Sequence, residues 1–444
     1  MKKLYFSLLT FLFLVVAHAQ IVNIPDANFK AKLLSASPDN QIASTQTPYT
    51  NSSDYLVVDS YNTIDSNNDG EIQESEAIAV KFLRVSSSGI LSLEGIEKFS
   101  NLHILECAAN GLSNLNLTNL TNLQLLDCPH NQLQSLNING LINLRDFWCY
   151  DNNLINIDLN GLPNLKILYV SGNNLTSLNV SGLTNLRQLN CSANDLTSLD
   201  LSYLTNLLNL ACNNNQLTSI NANLTSLRSL DCEHNLLNSI FIKNGKVTSW
   251  VYLKVAFNPN LEYICADTND LQFVQSSVNT AGYNLTCQVN DYCDFTPGGT
   301  SYKIQGTSKI DSNEDGCGAA DSNYFNLKFN ITNGINTGSL ISNVSGNYSI
   351  PVQSGTHTIT PQFENPAYFT VSPTSATVTF PAATSPFTQN FCITPNGVHH
   401  DLEVVVIPLE PARPGFDTFY KIKYKNKGNY NETATVNFNY NEAI

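Results

Sequence analysis

The most specific local pattern in this sequence is a twelve-residue acidic loop. Its oxygen-bearing residues are Asp65, Asn67, Asp69, Glu71 and Glu76. In a calcium loop of this spacing three short side chains alternate, a glycine takes the sharp turn, the next residue offers its carbonyl and the last glutamate binds through both oxygens. Gly70 supplies the turn here. The loop therefore predicts structural Ca²⁺; the alternative is an acidic turn that binds no metal.

Residues 54–63 in front of this loop do not read as an entering helix, so a paired EF-hand is not expected. A second loop repeats the alternating oxygen ligands at Asp311, Asn313, Asp315 and Asp321. It lacks the final glutamate, which leaves Asp321 as the only closing ligand, and it lies between predicted strands. A second calcium site and an ordinary Asx-rich turn are both open there.

The middle of the chain repeats the frame L-x-x-L-x-C-x-x-N-x-L-x-x-L-x-L every 21 residues. Its asparagines are Asn110, Asn131, Asn152, Asn173, Asn194 and Asn215, followed at altered spacing by Asn235 and Asn258. A period kept this strictly is typical of a leucine-rich repeat solenoid, with a parallel β-sheet on one side and short irregular or 3₁₀ segments on the convex side. The asparagines are expected to be structural, bonding backbone groups along the stack.

Residues between the inward-pointing leucines form columns across the concave sheet. The predicted ligand-binding patch on these columns consists of Trp148, Tyr150, Tyr169, Asp127, Asp146 and Asp151. Exposed aromatic side chains in a polar surround serve as anchors in interfaces. The alternative is that a neighbouring loop covers these aromatic rings.

The cysteines fall into two groups. Six share one repeat position, where Val170 and Val255 also occur: Cys107, Cys128, Cys149, Cys191, Cys212 and Cys232. Stacked strands hold such side chains too far apart for disulfides, so a buried, reduced ladder is expected. The others are Cys265, Cys287, Cys293, Cys317 and Cys392. Disulfides among these five suit an exported protein, and their odd number leaves at least one outside any pair.

The first residues carry two lysines, an apolar stretch and Ala17-His18-Ala19, which predicts a signal peptide over residues 1–19 and an exported chain. No other segment is long and apolar enough to predict a transmembrane span. The formal net charge is −14. Without a basic run, such a chain gains nothing from nucleic acid and is repelled by anionic lipid.

The predicted domains follow the composition. Residues 20–78 form an N-terminal cap, which contains a short amphipathic helix and the first acidic loop. Residues 79–293 hold the repeats, from a degenerate first one with Ser88 in place of asparagine to a closing end. Residues 294–395 alternate as a β-sandwich with turns at Gly346 and Gly355. Residues 396–444 resemble part of an immunoglobulin-like domain, too few strands to stand alone, so we expect the chain to be incomplete at its C-terminus.

The repeat frame, the D-x-N-x-D-G-x-I cap loop and the strand-rich tail resemble secreted leucine-rich repeat proteins of Bacteroidetes such as flavobacteria and, more distantly, internalins. The segment from Asp311 to Asp321, with GNYSI and SGTHTI after it, resembles prealbumin-like or Cna-B-type adhesin modules. The resemblance implies surface exposure, often through type IX secretion with a C-terminal sorting domain. No such domain is visible in the sequence.

These features predict a secreted or cell-surface, adhesin-like binding protein that holds a protein or glycan on its concave face and carries structural Ca²⁺. No nucleophile elbow, metal-binding helix or phosphate-binding glycine loop occurs, so we expect no enzyme activity. One alternative is the targeting portion of an exported enzyme whose catalytic domain lies beyond Ile444. Another is a self-associating structural layer protein with no foreign ligand.

Overall fold

The computed structural model describes residues 20–245, 250–283, 286–295, 299–409 and 418–437. The predicted signal peptide lies outside the described residues. The chain divides into two compact units, Met1–Asp195 and Leu196–Ile444. The predicted domain boundaries at residues 78, 293 and 395 stay predictions.

The first unit begins with a cap of short elements. They are α1 (Ala27–Leu34), β1 (Ala43–Ser44), β2 (Tyr49–Thr50), β3 (Leu56–Val57) and α2 (Glu74–Ala79). The amphipathic helix predicted from the sequence is α1, and it buries Phe29 and Leu33. Asp26 caps it by accepting a hydrogen bond from the amide of Phe29 at 2.9 Å. Its other carboxylate oxygen accepts from the amides of Leu91 and Ser92 at 2.8 and 3.0 Å, which ties the helix to the first repeat.

The repeats of the first unit place one strand of each turn in a common parallel sheet. The strands of this region, in chain order and including two outside the common sheet, are β4 (Phe82–Arg84), β5 (Ile104–Glu106), β6 (Asn114–Asn116), β7 (Leu125–Asp127), β8 (Ser135–Asn137), β9 (Asp146–Trp148), β10 (Ile167–Tyr169) and β11 (Gln188–Asn190). The sheet order is β4-β5-β7-β9-β10-β11, with β1 antiparallel at its edge. The strands β6 and β8 pair on their own, in parallel. Because each strand is followed by one return of the chain, this is a leucine-rich repeat solenoid, as predicted.

The repeat asparagines join neighbouring turns. In one turn the Asn152 amide donates to the carbonyl oxygens of Cys128 at 3.1 Å and Cys149 at 3.3 Å, while its oxygen accepts from the amide of Leu133 at 3.0 Å. The residue before each asparagine position adopts a left-handed backbone. In the first unit φ is 50–54° at Ser87, Ala109, His130, Asp151 and Ala193, and 61° at Gly172. Glycine is the one residue for which this conformation costs nothing.

The second unit begins with further turns of the same design. Its first elements are β12 (Asn209–Ala211), β13 (Ser219–Asn221), β14 (Ser229–Asp231), β15 (Ser239–Phe241), β16 (Tyr252–Lys254), β17 (Tyr263–Cys265), α3 (Leu271–Thr280) and β18 (Gln288–Asn290). One parallel sheet runs β12-β14-β16 and another runs β13-β15-β17-β18. The predicted closing end keeps Leu253 and Val255 buried and Asn258 hydrogen-bonded in frame. The sequence did not predict α3.

Antiparallel pairing dominates the rest of this unit. Its strands are β19 (Tyr302–Ile310), β20 (Ser322–Asn323), β21 (Lys328–Thr332), β22 (Thr337–Ile341), β23 (Asn347–Val352), β24 (Gly355–Gln362), β25 (Phe369–Ser372), β26 (Ala376–Phe380), β27 (Phe387–Thr388) and β28 (Phe391–Pro395). One sheet forms around β19 and β28, and a second runs β22-β21-β24-β26. Phe329, Ile350 and Phe391 lie in the core between them, which continues into Tyr263 and Tyr292 of the preceding turns. Two further strands, β29 (Leu402–Pro408) and β30 (Tyr420–Asn426), pair as a hairpin.

The cysteines divide as the sequence predicts. The six ladder cysteines are buried and stay thiols, and burial raises the pKa of Cys191 to about 12. Disulfides join Cys265 to Cys293 and Cys317 to Cys392, which leaves Cys287 as a buried thiol. No helix among the described residues is long and apolar enough to cross a membrane.

Candidate binding face

The solvent-facing columns of the first unit's sheet have the register expected from the sequence. Asp127 pairs with Glu106 on one side and Trp148 on the other, and Trp148 pairs with Tyr169. The aromatic residues of the predicted patch therefore occupy neighbouring strands on one face.

Part of this face is covered by the chain's own cap. Residues 49–61, which include the β2–β3 hairpin, form a segment that we call the strap. Its partly buried Leu56, Val58 and Tyr61 pack with Trp148 against a cluster of three buried sheet residues: Phe82, Ile104 and Leu125. The Tyr61 ring meets the Phe82 ring edge-on at 5.8 Å between centroids. A covering loop of the kind considered as the alternative is thus present beside Trp148, packed against the same cluster.

The tip of the strap ends in a cluster of charges. Asp54 lies 3.2 Å from Arg145, 3.5 Å from Lys166 and 3.8 Å from Arg187, measured between carboxylate oxygens and side-chain nitrogens. Its carbonyl oxygen also accepts from Arg145 at 2.6 Å. These three cations, which we call the cation ladder, occupy the same position in successive repeats, directly after Leu144, Leu165 and Leu186. The three cations recur at a 21-residue spacing that is visible in the sequence, but they were not predicted as a site.

Asp146 lies beneath this arrangement. We expected it at the surface beside the aromatic patch, and that expectation is wrong, because Asp146 is 1% exposed. It continues the strap-covered column, next to Leu125 in register. One of its oxygens accepts from Arg145 at 2.6 Å, and the other has no partner among the described groups. Burial raises the pKa of this carboxyl, and the hydrogen bond from Arg145 opposes that rise.

The remaining residues of the predicted patch are more accessible. Tyr150 is partly exposed and meets the His130 ring edge-on at 5.1 Å. The same imidazole lies 3.1 Å from the exposed carboxylate of Asp151. Tyr169 is partly exposed and donates its hydroxyl to Gln188 at 2.5 Å. These side chains present aromatic rings with polar edges to solvent.

Asp127 is the titratable group in the middle of the face. Burial, and secondarily the charge of Glu106, raises its pKa to about 6, while Arg84 and His130 oppose the rise. Arg84 is held by Glu106 in an ion pair. The charge of Asp127 therefore changes close to neutral pH.

The first acidic loop has the turn expected of a calcium-loop sequence. The two oxygens of Asp65 accept from the amides of Asp69 at 3.1 Å and Gly70 at 3.0 Å. Glu76 closes the loop by accepting from the amides of Ser66 at 2.7 Å and Gln73 at 3.0 Å. The helix α2 leaves the loop and none enters it, as predicted.

Three further features bear on the metal ligands. The side chain of Glu71 pairs with Lys30 at 2.6 Å. In the second loop Asp311 accepts from the amides of Asp315 at 3.2 Å and Gly316 at 3.0 Å, which repeats the first turn. Asp321 accepts locally from Gly318 at 2.6 Å. Across the described part of the chain, no three His, Cys, Asp or Glu side chains are arranged to hold a metal ion.

Comparisons with known proteins give structural matches alone. No family model matches the sequence, and no curated protein matches it. The functional domain of InlJ from Listeria monocytogenes, described as including a cysteine ladder, is 24% identical with a TM-score of 0.36, over 57% of this chain and 60% of that one. Internalin C2 from Listeria monocytogenes is 23% identical with a TM-score of 0.33, over 44% and 85%. A leucine-rich repeat protein of Leptospira interrogans is 23% identical with a TM-score of 0.36, over 48% and 60%.

Proposed function

We propose that this chain is an extracellular binding protein that holds a segment of a partner protein on the solvent-facing columns of its first-unit sheet. The observation that carries the proposal is the strap. A hairpin of the chain's own polypeptide, formed by the antiparallel strands β2 and β3, already lies on this face, packed through Leu56, Val58 and Tyr61 and ion-paired through Asp54. A surface that accepts one polypeptide segment in this way has the shape and chemistry to accept another.

Tyr150 and Tyr169 are the anchors in this proposal. Both are partly exposed, Tyr150 just after β9 and Tyr169 at the end of the adjacent β10, and their rings combine apolar area with a polar edge. Asp151 and Asp127 lie beside them and supply acceptors for a partner's donors. A glycan ligand would use similar groups, but nothing on this face corresponds to the strap in favour of a sugar.

Calcium has a structural part in the proposal. The first acidic loop lies in the cap, just before the first repeats, and Glu76 closes it from the first turn of α2. A cation that drew the carboxylates of Asp65, Asp69 and Glu76 together would offset their mutual repulsion and stabilise the cap. We propose the second loop as a weaker site of the same kind, since Asp321 replaces the closing glutamate.

The test is selection of binders from a random peptide-display library on the immobilised full chain. Selected peptides are then measured against Tyr150→Ala and Tyr169→Ala. The matched control is Tyr203→Ala, which removes a tyrosine that is 52% exposed in another part of the chain. Loss of at least about tenfold in affinity for the first two variants alone supports the proposal. Peptides that bind all three variants equally, or a library that yields none, would refute it.

Export and surface location are proposed together with this role, from the sequence of residues 1–19. Nothing in the described residues favours the alternative of a targeting segment for an exported enzyme.

A further inference from the structure

We infer that the cation ladder of Arg145, Lys166 and Arg187 is a binding site for an acidic segment of a partner protein, and that Asp54 occupies it as an internal competitor. The inference rests on the proposed function and adds to it the chemical class of the partner. Nothing in the repeat architecture requires three cations in one column.

The charges around the ladder are not balanced. Among the described residues, Asp54 is the one carboxylate that reaches all three cations, and Asp146 forms an ion pair with Arg145 only. At least one positive charge is therefore left over, in a chain whose formal net charge is −14. The exposed fraction of the side chain rises along the ladder from 13% at Arg145 to 32% at Lys166 and 54% at Arg187. A partner carboxylate can thus reach the last two members from solvent.

The contact between strap and sheet leaves polar groups unsatisfied. One oxygen of Asp146 and the indole N–H of Trp148 are buried without a partner among the described groups. Both side chains belong to β9, point to the strap-covered face and adjoin the column that the strap covers. A buried polar group without a hydrogen bond weakens the contact that buries it. The strap therefore leaves hydrogen-bonding groups of the sheet without partners, and a segment that supplied those partners could replace it.

The strap also indicates what such a segment looks like. Asp54 lies in the turn between β2 and β3 at a φ of 63°, and the apolar residues at positions 56 and 58 follow it in extended backbone that directs both to the same side. The acid meets the ladder and the apolar side chains meet the sheet. A partner segment with one acid and alternating apolar residues after it would reproduce both contacts. This pattern favours an acidic protein segment over an anionic glycan, which has no apolar side chains to offer.

Competition within the chain sets the expected direction of a mutational effect. A tethered segment acts at a high effective concentration, so it weakens the apparent affinity of any free competitor. Removing the charge of Asp54 weakens the internal occupant without changing the ladder. Binding of an acidic peptide should therefore become tighter, whereas loss of a ladder cation should make it weaker.

The experiment measures fluorescence anisotropy of a labelled thirteen-residue peptide with the strap sequence YTNSSDYLVVDSY, added to the full chain. We expect Asp54→Asn to bind it at least about tenfold more tightly than the unaltered chain does. Lys166→Gln should abolish this binding. Its matched control is Lys303→Gln, because Lys303 is also a carboxylate-paired lysine and is 37% exposed. A peptide with Asn in place of its first Asp should bind weakly, and added salt should weaken the binding of the acidic peptide.

Several outcomes overturn the inference. They are equal binding of the Asp and Asn peptides, equal loss in the two lysine variants, no tightening in a folded Asp54→Asn chain, or binding of a heparin fragment in place of the peptide. Should Asp54→Asn fail to fold, the comparison of the two lysine variants decides alone. If the library peptides require Tyr150 for binding but no acidic peptide binds the cation ladder, this inference is refuted and the proposed function still stands.

Discussion

The side-chain amide of Asn152 donates to the carbonyl oxygen of Cys128 at 3.1 Å, across 24 residues of chain. The oxygen of the same side chain accepts from the amide of Leu133 in the preceding turn at 3.0 Å. One buried amide group thus satisfies backbone groups of two consecutive turns. The solenoid gains lateral cohesion at a position where water is excluded.

Replacing this side chain should therefore be costly. We expect Asn152→Ala to lower the free energy of unfolding by about 3 kcal/mol, because it leaves a buried N–H and buried carbonyl oxygens without partners. The adjacent Asn153 is exposed, so Asn153→Ala should change stability by less than about 0.5 kcal/mol. Urea unfolding followed by circular dichroism compares the two variants. Equal effects would show that the buried asparagine does not link the turns.

The left-handed residues that precede the repeat asparagines predict opposite changes in stability for two exchanges between glycine and alanine. A Cβ at Gly172 would lie 2.2 Å from a carboxylate oxygen of Asp151, at a φ of 61°. Gly172→Ala should thus cost at least about 1–2 kcal/mol. Ala193→Gly relieves a φ of 50° and should be neutral or stabilising by up to about 1 kcal/mol, after the entropy of the unfolded glycine is counted. Chemical denaturation of both variants measures the signs, and destabilisation by Ala193→Gly would contradict this account.

Asp127 predicts a pH-dependent stability. Burial raises its folded-state pKa to about 6 from 3.8, so the folded chain binds a proton before the unfolded chain does. This group therefore destabilises the fold above pH 6, and the penalty is relieved as pH falls from about 6 towards 4. Asp127→Asn should raise the unfolding temperature at pH 7.5, and the gain should shrink by pH 4.5. A gain that is independent of pH would assign the effect to packing.

Calcium binding at the first acidic loop predicts a shift in thermal unfolding of the full chain. Excess Ca²⁺ should raise the transition by several degrees over a chelated sample, because a ligand that binds only the folded state stabilises it. The double variant Asp65→Ala, Asp69→Ala should lose the shift. Asp311→Ala tests the second loop in the same assay. An unaltered transition in the unmodified chain would mean that both loops are turns held by their own hydrogen bonds.

Local and periodic information accounts for the features that the sequence predicts correctly. The 21-residue frame places Leu105 and Cys107 inward and Glu106 outward, and this alternation alone predicts the sheet and its columns. The helix α1 follows from the amphipathic spacing of its apolar residues. The absence of an entering helix before Asp65 follows from composition.

Long-range contacts account for what the sequence analysis missed. The strands of the strap are two residues long, and neither has a pattern that predicts its partner. Asp54 meets Arg145 across 91 residues, and no periodicity connects them. Asp146 is buried next to that contact and pairs with the same Arg145, and its exposure was therefore predicted wrongly. The predicted surface patch is therefore wrong for the buried Asp146. For Tyr150, Asp151 and Tyr169, which are at least partly exposed, it stays a prediction.

The strap also places a limit on how this gene can change. Solenoids commonly grow or shrink by whole repeats, because each turn contacts only its neighbours. A turn inserted between Val85 and Leu144 would move Arg145 about 4.8 Å further from the cap, while the strap would keep its length. Asp54 would then lie opposite the side chain of a different repeat. The fixed length of the strap therefore limits the number of repeats that can precede the cation ladder. The number of turns after Arg187 can vary without changing this contact.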